Sequence, residues 1–199
     1  MTPSSGAASS WSEAPGPLGS DRRASLVGLL ILLVSTGIIF LALVVAFVAR
    51  RLMGDDWIAT PKPPILFVNT GILILSSVAL DLARRALKSR QRVNFNRWWT
   101  TATALGGVFL IGQSIAWSQL RAAGIYVATN PSSSFFYVLT AVHALHLIGG
   151  MVALTWVDVQ ALRLRLGPAK RTAIDVCAIF WHFLDVLWIM LMAIFYLWA

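Results

Sequence analysis

The feature that most limits how this chain can fold is a series of five long, nearly uncharged apolar runs. Each run is long enough to cross roughly 30 Å of hydrocarbon as a helix that rises about 1.5 Å per residue. The runs are continuously apolar rather than alternating, which favours helices over the strands of a membrane barrel. The five predicted spans cover residues 24–49, 65–83, 98–120, 135–157 and 172–198.

The composition agrees with a membrane protein. Only 12% of the 199 residues are charged and 58% are hydrophobic, whereas an ordinary soluble domain carries about 25% charged residues. The predicted fold class is therefore all-α and integral to the membrane, with a five-helix transmembrane domain over residues 24–199. Residues 1–23, rich in Ser, Gly, Pro and Ala, are expected to form a disordered cytoplasmic tail. Cys177 is the single cysteine, which excludes an internal disulfide and a cysteine-based metal site.

The basic residues predict the orientation of the chain. Twelve of the 16 Lys and Arg residues lie in the N-terminal tail and in the second and fourth loops, and the other four lie in the first and third loops. By the positive-inside rule, the N-terminus is predicted to be cytoplasmic and the C-terminus outside. Nucleic-acid binding is not predicted from the net charge of +8, because the basic residues form short clusters between the spans.

Polar side chains inside the predicted spans are costly unless they face the interior of the helix bundle, and six of them are candidates for such a role. Four of them form an HxxH pair in the fourth span and an HxxD pair in the fifth, and a three-residue step places each pair on one helix face. The six candidates are Asn69, Gln113, His143, His146, His182 and Asp185.

The chemistry of these side chains leaves three interpretations open. Three imidazoles and a carboxylate are suitable ligands for a first-row metal ion, and two of the histidines would suffice for a haem. The same groups can instead hydrogen-bond across helices, or they can relay protons. Interhelical bonding is favoured, because a His–Asp contact satisfies both side chains without a metal.

Aromatic residues towards the ends of the spans predict an interfacial belt. The residues concerned are Trp98, Trp99, Trp156, Trp181, Tyr196 and Trp198.

Four segments, taken in order, resemble subunit III of the haem–copper terminal oxidases. Residues 61–80 (PKPPILFVNTGILILSSVAL) and 103–117 (TALGGVFLIGQSIAW) are similar to its Pro-Pro, Asn-Thr, Ser-Ser and Gly-Gln segments. Residues 134–150 (SFFYVLTAVHALHLIGG) are very similar to its HxxH segment, and residues 180–198 (FWHFLDVLWIMLMAIFYLW) to its Trp-His-Phe-x-Asp ending. The last two motifs together are specific, and the resemblance runs from about residue 25 to 198.

The resemblance implies the five-helix bacterial form of this subunit, in the inner (plasma) membrane. It implies that haem and copper belong to partner subunits and that this chain has no catalytic residue and binds no cofactor or metal. The expected partners are oxidase subunit I as the main contact, subunit II and membrane phospholipids, with no nucleic acid. The complex would reduce O2 to water with electrons from cytochrome c and translocate protons. The six polar candidates then become interior contacts, or contacts near bound lipid.

Several alternatives remain beside this interpretation. Within the resemblance, they are a quinol-oxidase subunit III and the related subunit beside nitric-oxide reductases. Outside it, they are a small membrane transporter that uses His182, Asp185 and Gln113 along a water-filled path, and an intramembrane metalloenzyme built on the HxxH and HxxD pairs.

Two positions depart from the family pattern. Ser35 aligns with a carboxylate that is common in the first helix of the short form, and Ala116 stands where a Glu often precedes an aromatic residue. Roles tied to those carboxylates, such as proton uptake or the gating of an oxygen route, are therefore not expected from these two positions.

Overall fold

The computed structural model describes residues 17–54, 57–163 and 170–197. Within these ranges the chain is helical, and the helices are joined by short connections. In chain order they are α1 (Pro17–Met53), α2 (Ile65–Lys88), α3 (Arg92–Ala122), α4 (Pro131–Leu162) and α5 (Lys170–Leu197).

Helices α2 to α5 form a closed bundle. Helix α2 packs most extensively on α3, because a tight turn over residues 89–91 folds the two into an antiparallel hairpin. Arg90 in that turn takes a left-handed backbone conformation with φ of 58°. Helix α4 packs on α3, and α5 packs on both α4 and α2, which closes the ring. Helix α1 lies outside the ring against α4 and α5.

Helix α1 begins before the predicted first span. The span was expected to start at residue 24, and α1 begins at Pro17. Proline suits the first turn of a helix, because its φ is already fixed near the helical value and its missing N–H is not needed there. Residues 1–16 of the predicted tail lie outside the described residues.

Four of the five helices are long and apolar enough to cross a membrane. The qualifying segments are Arg22–Met53, Ile65–Lys88, Pro131–Leu162 and Arg171–Leu197. Helix α3 contains the predicted third span but does not reach the same apolar content, since its 31 residues include Arg92, Arg97 and Arg121 and several Thr, Ser and Gln side chains. The protein is thus an all-α, multi-pass membrane protein, and the crossing of α3 stays a prediction.

Local hydrogen bonds fix the start of α4. Asn130 caps the helix, since its side chain accepts from the Ser133 N–H at 2.9 Å while the Ser133 hydroxyl accepts from the Asn130 N–H. The first connection is tied to the same end of the bundle, because Thr60 Oγ1 donates to Ser132 Oγ at 2.9 Å. Nearby, Lys62 Nζ lies 5.0 Å from the ring centre of Tyr196, and burial lowers the pKa of Lys62.

Large aromatic side chains fill the core, and two of them correct the predicted belt. Trp99 and Trp181 are fully buried rather than interfacial. Trp99 Nε1 donates to the Leu154 carbonyl of α4 at 3.0 Å, so the indole is used in interhelical packing. Trp98 and Trp156 are 41% and 49% exposed, as the belt requires. Tyr196 is partly exposed as well, and Trp198 lies outside the described residues.

Candidate functional site

A connected group of polar side chains lies between α2 and α5. The Ser77 hydroxyl of α2 contacts the Oδ2 atom of Asp185, and Ser77 Oγ also lies 2.7 Å from His182 Nδ1. The other ring nitrogen of His182, Nε2, lies 3.3 Å from Oδ1 of Asp81. Asp185 is only 5% exposed, so the group reaches from the bundle interior outwards.

The group continues to the end of the bundle where α2 ends and α5 begins. Arg84 lies 3.6 Å from Asp81 and donates to Asp175 Oδ1 at 3.1 Å. The side chains of Asp81 and Asp175 are about half exposed, at 51% and 50%. A continuous series of polar contacts therefore joins an accessible edge to the buried carboxyl of Asp185.

Helical spacing explains why these side chains meet. Ser77, Asp81 and Arg84 follow one another at steps of four and three residues on α2, which places them on one face. His182 and Asp185 are three residues apart on α5, and α5 packs directly on α2. We name this set, Ser77, Asp81, Arg84, Asp175, His182 and Asp185, the α2–α5 polar chain.

The first histidine of the HxxH pair lies in an aromatic environment. His143 is completely buried, and its ring centre lies 4.9 Å from that of Trp188, 6.0 Å from that of Phe109 and 6.3 Å from that of Phe40. Neither ring nitrogen has a hydrogen-bond partner among the described residues. Gln113 on α3 is 1% exposed, and its amide atoms likewise have no partner within the described part of the chain.

The second histidine of the pair has a different environment. His146 is partly exposed, and its Nδ1 bonds the Val142 carbonyl one turn earlier at 2.8 Å. It lines a groove of about 420 Å³ between α1, α4 and α5, whose other walls are apolar side chains, glycines and Cys177. Both histidine rings lie near Phe40 of α1, and that of His146 is the nearer, with its centre 5.7 Å from the Phe40 ring centre. The rest of their surroundings differs, because His143 also faces Phe109 and Trp188 whereas His146 faces the groove.

Asn69 holds the α2–α3 hairpin together. Its side chain is 1% exposed and its Nδ2 donates to the Phe109 carbonyl at 3.4 Å. The amide lies against Gly112, where a Cβ atom would overlap it. Two turns further along α2, Ser76 Oγ donates to the Ala102 carbonyl at 2.8 Å.

The placement of the four HxxH and HxxD side chains bears on metal binding. His143 faces aromatic rings, His146 faces the groove, and His182 and Asp185 face α2. Within residues 17–54, 57–163 and 170–197, no three His, Cys, Asp or Glu side chains come together as a metal site would require. The structure thus separates the ligands that the sequence had offered to one metal ion.

Asp81 and Asp175 are not among the six polar candidates chosen from the sequence, and neither was connected with His182. The signal was present for Asp81, because it follows Ser77 by four residues and precedes Arg84 by three. What the sequence did not contain was the pairing of α2 with α5, which brings Ser77 and Asp185 together across 108 residues.

The two positions that depart from the family pattern differ in the structure. Ser35 is exposed on α1, whereas its neighbour Thr36 is 1% exposed and faces the bundle. Position 36, rather than 35, is thus where a side chain of α1 would reach the interior. Ala116 is fully buried on α3, so that position does lie inside the bundle.

Comparison with known proteins identifies the family. Residues 22–199 match the family model described as cytochrome c oxidase subunit III. The chain belongs to the cytochrome c oxidase subunit III family. This family assignment confirms the resemblance that the four sequence segments indicated. The subunit III family generally carries no cofactor of its own and associates with other oxidase subunits.

Individual relatives of this subunit III family member agree. Cytochrome c oxidase subunit 3 of Thermostichus vulcanus is 32% identical over 176 residues, which is 86% of each chain. The protein of the same name from Synechocystis is 31% identical over 182 residues, covering 86% of this chain and 75% of the relative. A probable cytochrome c oxidase subunit 3 of Nocardia farcinica is 33% identical over 100 residues. The chain spans about half of that relative's length (49%).

Proposed function

We propose that this chain is the non-catalytic subunit III of a bacterial respiratory haem–copper terminal oxidase. The complex reduces O2 to water with electrons from cytochrome c and translocates protons, and its haem and copper are bound by other subunits. The observation that carries the proposal is the family match over residues 22–199. The separation of the HxxH and HxxD side chains supports a structural role for them in place of redox chemistry.

The proposed topology has five crossings, with residues 1–23 cytoplasmic and the C-terminus outside the plasma membrane. The division of basic residues supports this orientation. The packing supports the crossing of α3, because α3 is antiparallel to α2 in a hairpin and also packs on α4. Helices α2 and α4 are both apolar enough to span. A helix of 31 residues held between two spanning helices lies in the same membrane layer.

The proposed partners are subunit I, subunit II and membrane phospholipids. Among the described helices, α1 packs only on α4 and α5. Most of the large apolar side chains of α1 are exposed. This apolar surface is available to lipid tails and to the membrane-embedded face of subunit I. The groove beside His146 is lined by apolar groups and fits an acyl chain of a phospholipid.

Purification of the tagged chain from its native membrane tests the proposal. In a mild detergent, the chain should elute with haem absorbance and with larger subunits that carry cytochrome c oxidase activity. After denaturation in a harsh detergent, the chain alone should retain no haem, copper or iron. Elution of the intact native chain without any haem subunit would overturn the proposal. Oxidation of quinol in place of cytochrome c by the eluted complex would support the quinol-oxidase alternative.

A double variant distinguishes the proposed role of a metal-free subunit from metal binding by this chain. His143→Ala combined with His182→Ala should leave the haem and copper content per assembled complex unchanged. A stoichiometric metal that stays with the wild-type chain and is lost from this variant would instead support the metalloenzyme alternative.

A further inference from the structure

The buried end of the α2–α5 polar chain is a carboxyl group with incomplete bonding. Asp185 is 5% exposed. Its Oδ2 contacts the Ser77 hydroxyl, and its Oδ1 has no hydrogen-bond partner among the described residues. Arg84, the basic residue of the polar chain, is engaged by Asp81 and Asp175 at the accessible edge. Asp185 is therefore linked by hydrogen bonds to the other residues of the α2–α5 polar chain through Ser77 and His182.

Hydrogen-bond accounting allows two arrangements of protons over these groups. In the first, Asp185 is ionised and accepts from Ser77, Ser77 accepts from Nδ1–H of His182, and the Nε2–H of a charged imidazolium donates to Asp81. In the second, the protonated Asp185 donates to Ser77, Ser77 donates to Nδ1 of a neutral His182, and Nε2–H still donates to Asp81. Both arrangements satisfy every group between Asp81 and Asp185.

The two arrangements contain the same number of protons. They differ by one concerted shift, in which the Nδ1 proton of His182 moves to Ser77 Oγ and the Ser77 proton moves to Asp185 Oδ2. The bond from His182 Nδ1 to hydrogen breaks, the bond from Asp185 Oδ2 to hydrogen forms, and the hydroxyl of Ser77 is regenerated. The measured separation of 2.7 Å between Ser77 Oγ and His182 Nδ1 suits such a transfer.

We propose that Ser77, His182 and Asp81 form a proton-transfer chain that loads and unloads a buried proton-binding site at Asp185. Before loading, His182 is neutral with its hydrogen on Nδ1, and a proton from water binds the half-exposed carboxyl of Asp81 and passes to the unprotonated Nε2. This gives the first arrangement, and the concerted shift then carries the Nδ1 proton through Ser77 to Asp185. The site opens at the end of the bundle that holds the α2–α3 turn, which is the side proposed to face the cytoplasm. The inference goes beyond the role of an oxidase subunit, because it needs no group from another chain.

The surroundings of Asp185 determine which other groups act on it. Helix α2 contributes Asp81 and Arg84. Helix α5 itself contributes Asp175, which lies nearer the start of that helix and contacts Arg84. From α4, the ring of the titratable side chain His143 lies against Trp188, three residues after Asp185. Helix α1, which also packs on α5, carries no acidic residue, Lys or His between residues 24 and 49. The proton exchange is thus expected to depend on the polar chain rather than on other charges.

Infrared spectroscopy of the full chain in lipid nanodiscs tests this proposal directly. Isotopically labelled aspartate identifies carboxylic C=O bands of aspartate, and Asp185→Asn identifies the band that belongs to Asp185. After transfer from H2O to D2O, the band should shift rapidly in the wild type. In Ser77→Ala, the shift should be slowed by roughly tenfold or more, because the hydroxyl through which the proton reaches Asp185 is lost.

A matched control is Ser114→Ala. Ser114 donates to the Leu110 carbonyl of its own helix and is exposed, so its loss should leave the exchange rate of the Asp185 band unchanged. Ser77→Thr, which keeps the hydroxyl, should restore fast exchange, and His182→Phe should slow exchange as Ser77→Ala does.

Two results would overturn the proposal. One is an exchange rate in Ser77→Ala and His182→Phe equal to that of the wild type, with intact helical spectra. The other is the absence, at every pH at which the protein stays folded, of an aspartate band that Asp185→Asn removes. Because the labelled wild-type chain gives the band before any substitution, a folding defect in Asp185→Asn does not prevent the rate comparison. The outcome is also independent of whether the chain co-purifies with haem.

Discussion

The indole of Trp181 on α5 lies directly against the backbone of Gly106 on α3. A Cβ atom at position 106 would come within 2.6 Å of Trp181 Cη2 and of Met151 Sδ. Trp181 is fully buried, and a rigid ring in a close-packed interior has little room to move. Glycine at position 106 is thus a requirement for this indole to bridge from α5 to α3.

The first prediction is that Gly106→Ala destabilises the bundle while its neighbour tolerates the same change. Overpacking a close-packed interior costs about 1–3 kcal/mol, so the free energy of unfolding in mild detergent should fall by that amount. At Gly107 a Cβ would meet nothing within 4 Å, and Gly107→Ala should leave stability equal or slightly higher. Denaturation by SDS, followed by tryptophan fluorescence, measures both. Equal stability of the two variants would contradict the packing described.

A second prediction concerns the coupling of Asn69 and Gly112 in the α2–α3 hairpin. Gly112→Ala should displace the Asn69 amide, which occupies the position of the added Cβ, and destabilise by about 1–3 kcal/mol. When Asn69→Ala removes that amide first, the added methyl group of Gly112→Ala has space. The loss of unfolding free energy in the double variant should therefore be smaller than the sum of the two single losses by roughly 1 kcal/mol or more.

The control for this cycle is Gly149→Ala, at a glycine whose added Cβ meets nothing within 4 Å. Combined with Asn69→Ala, it should give additive effects. If the effects of Asn69→Ala and Gly112→Ala on the unfolding free energy are additive, the Asn69 amide does not pack against position 112.

The sequence predicted the positions of the helices well, because apolar length is a direct consequence of the membrane thickness. It could not predict which side of each helix faces the interior. Trp98 and Trp99 are adjacent and equally suited to an interfacial belt, yet one is 41% exposed and the other is buried. Since successive residues on a helix are about 100° apart, only the packing of neighbouring helices distinguishes them.

The candidate site shows the same limit. The six polar candidates were chosen from the cost of polar groups in hydrocarbon, and that cost does not identify their partners. His143 and His146 share a helix face by spacing, and both lie near Phe40 of α1. His143 also contacts Phe109 and Trp188 in the interior, whereas His146 lines the α1 groove. Which surroundings each receives depends on where α1 docks, and the sequence carries no local signal for that docking.

A third prediction separates the two neighbouring tryptophans. Trp99→Phe removes the bond from Nε1 to the Leu154 carbonyl and leaves space in the core, which should cost about 2 kcal/mol. Trp98→Phe changes a side chain with open surroundings and should cost less than about 0.5 kcal/mol. Thermal unfolding of both variants in detergent, monitored by circular dichroism, measures the difference. A larger loss from Trp98→Phe would reverse the assignment of the two faces.

The last prediction tests whether α3 crosses the membrane. In a Cys177→Ser background the chain has no cysteine, so a single new cysteine reports the side on which it lies. Ser89→Cys, in the turn between α2 and α3, should react with an impermeant maleimide only in inside-out vesicles. Tyr126→Cys, between α3 and α4 and 57% exposed, should react only in intact spheroplasts. Opposite accessibility at the two ends of α3 requires that α3 spans.

Ile58→Cys supplies the matched control for that experiment. Ile58 is 67% exposed in the connection before α2, so it should react from the same side as Tyr126→Cys and from the side opposite to Ser89→Cys. If Ile58 and Ser89 react from opposite sides while Tyr126 reacts from the side of Ser89, α2 crosses and α3 does not. That result would refute the five-span topology, because α3 would then have to leave its position between α2 and α4. The contacts of Trp99 with Leu154 and of Asn69 with Phe109 make such a displacement costly, which is why opposite labelling is the expected outcome.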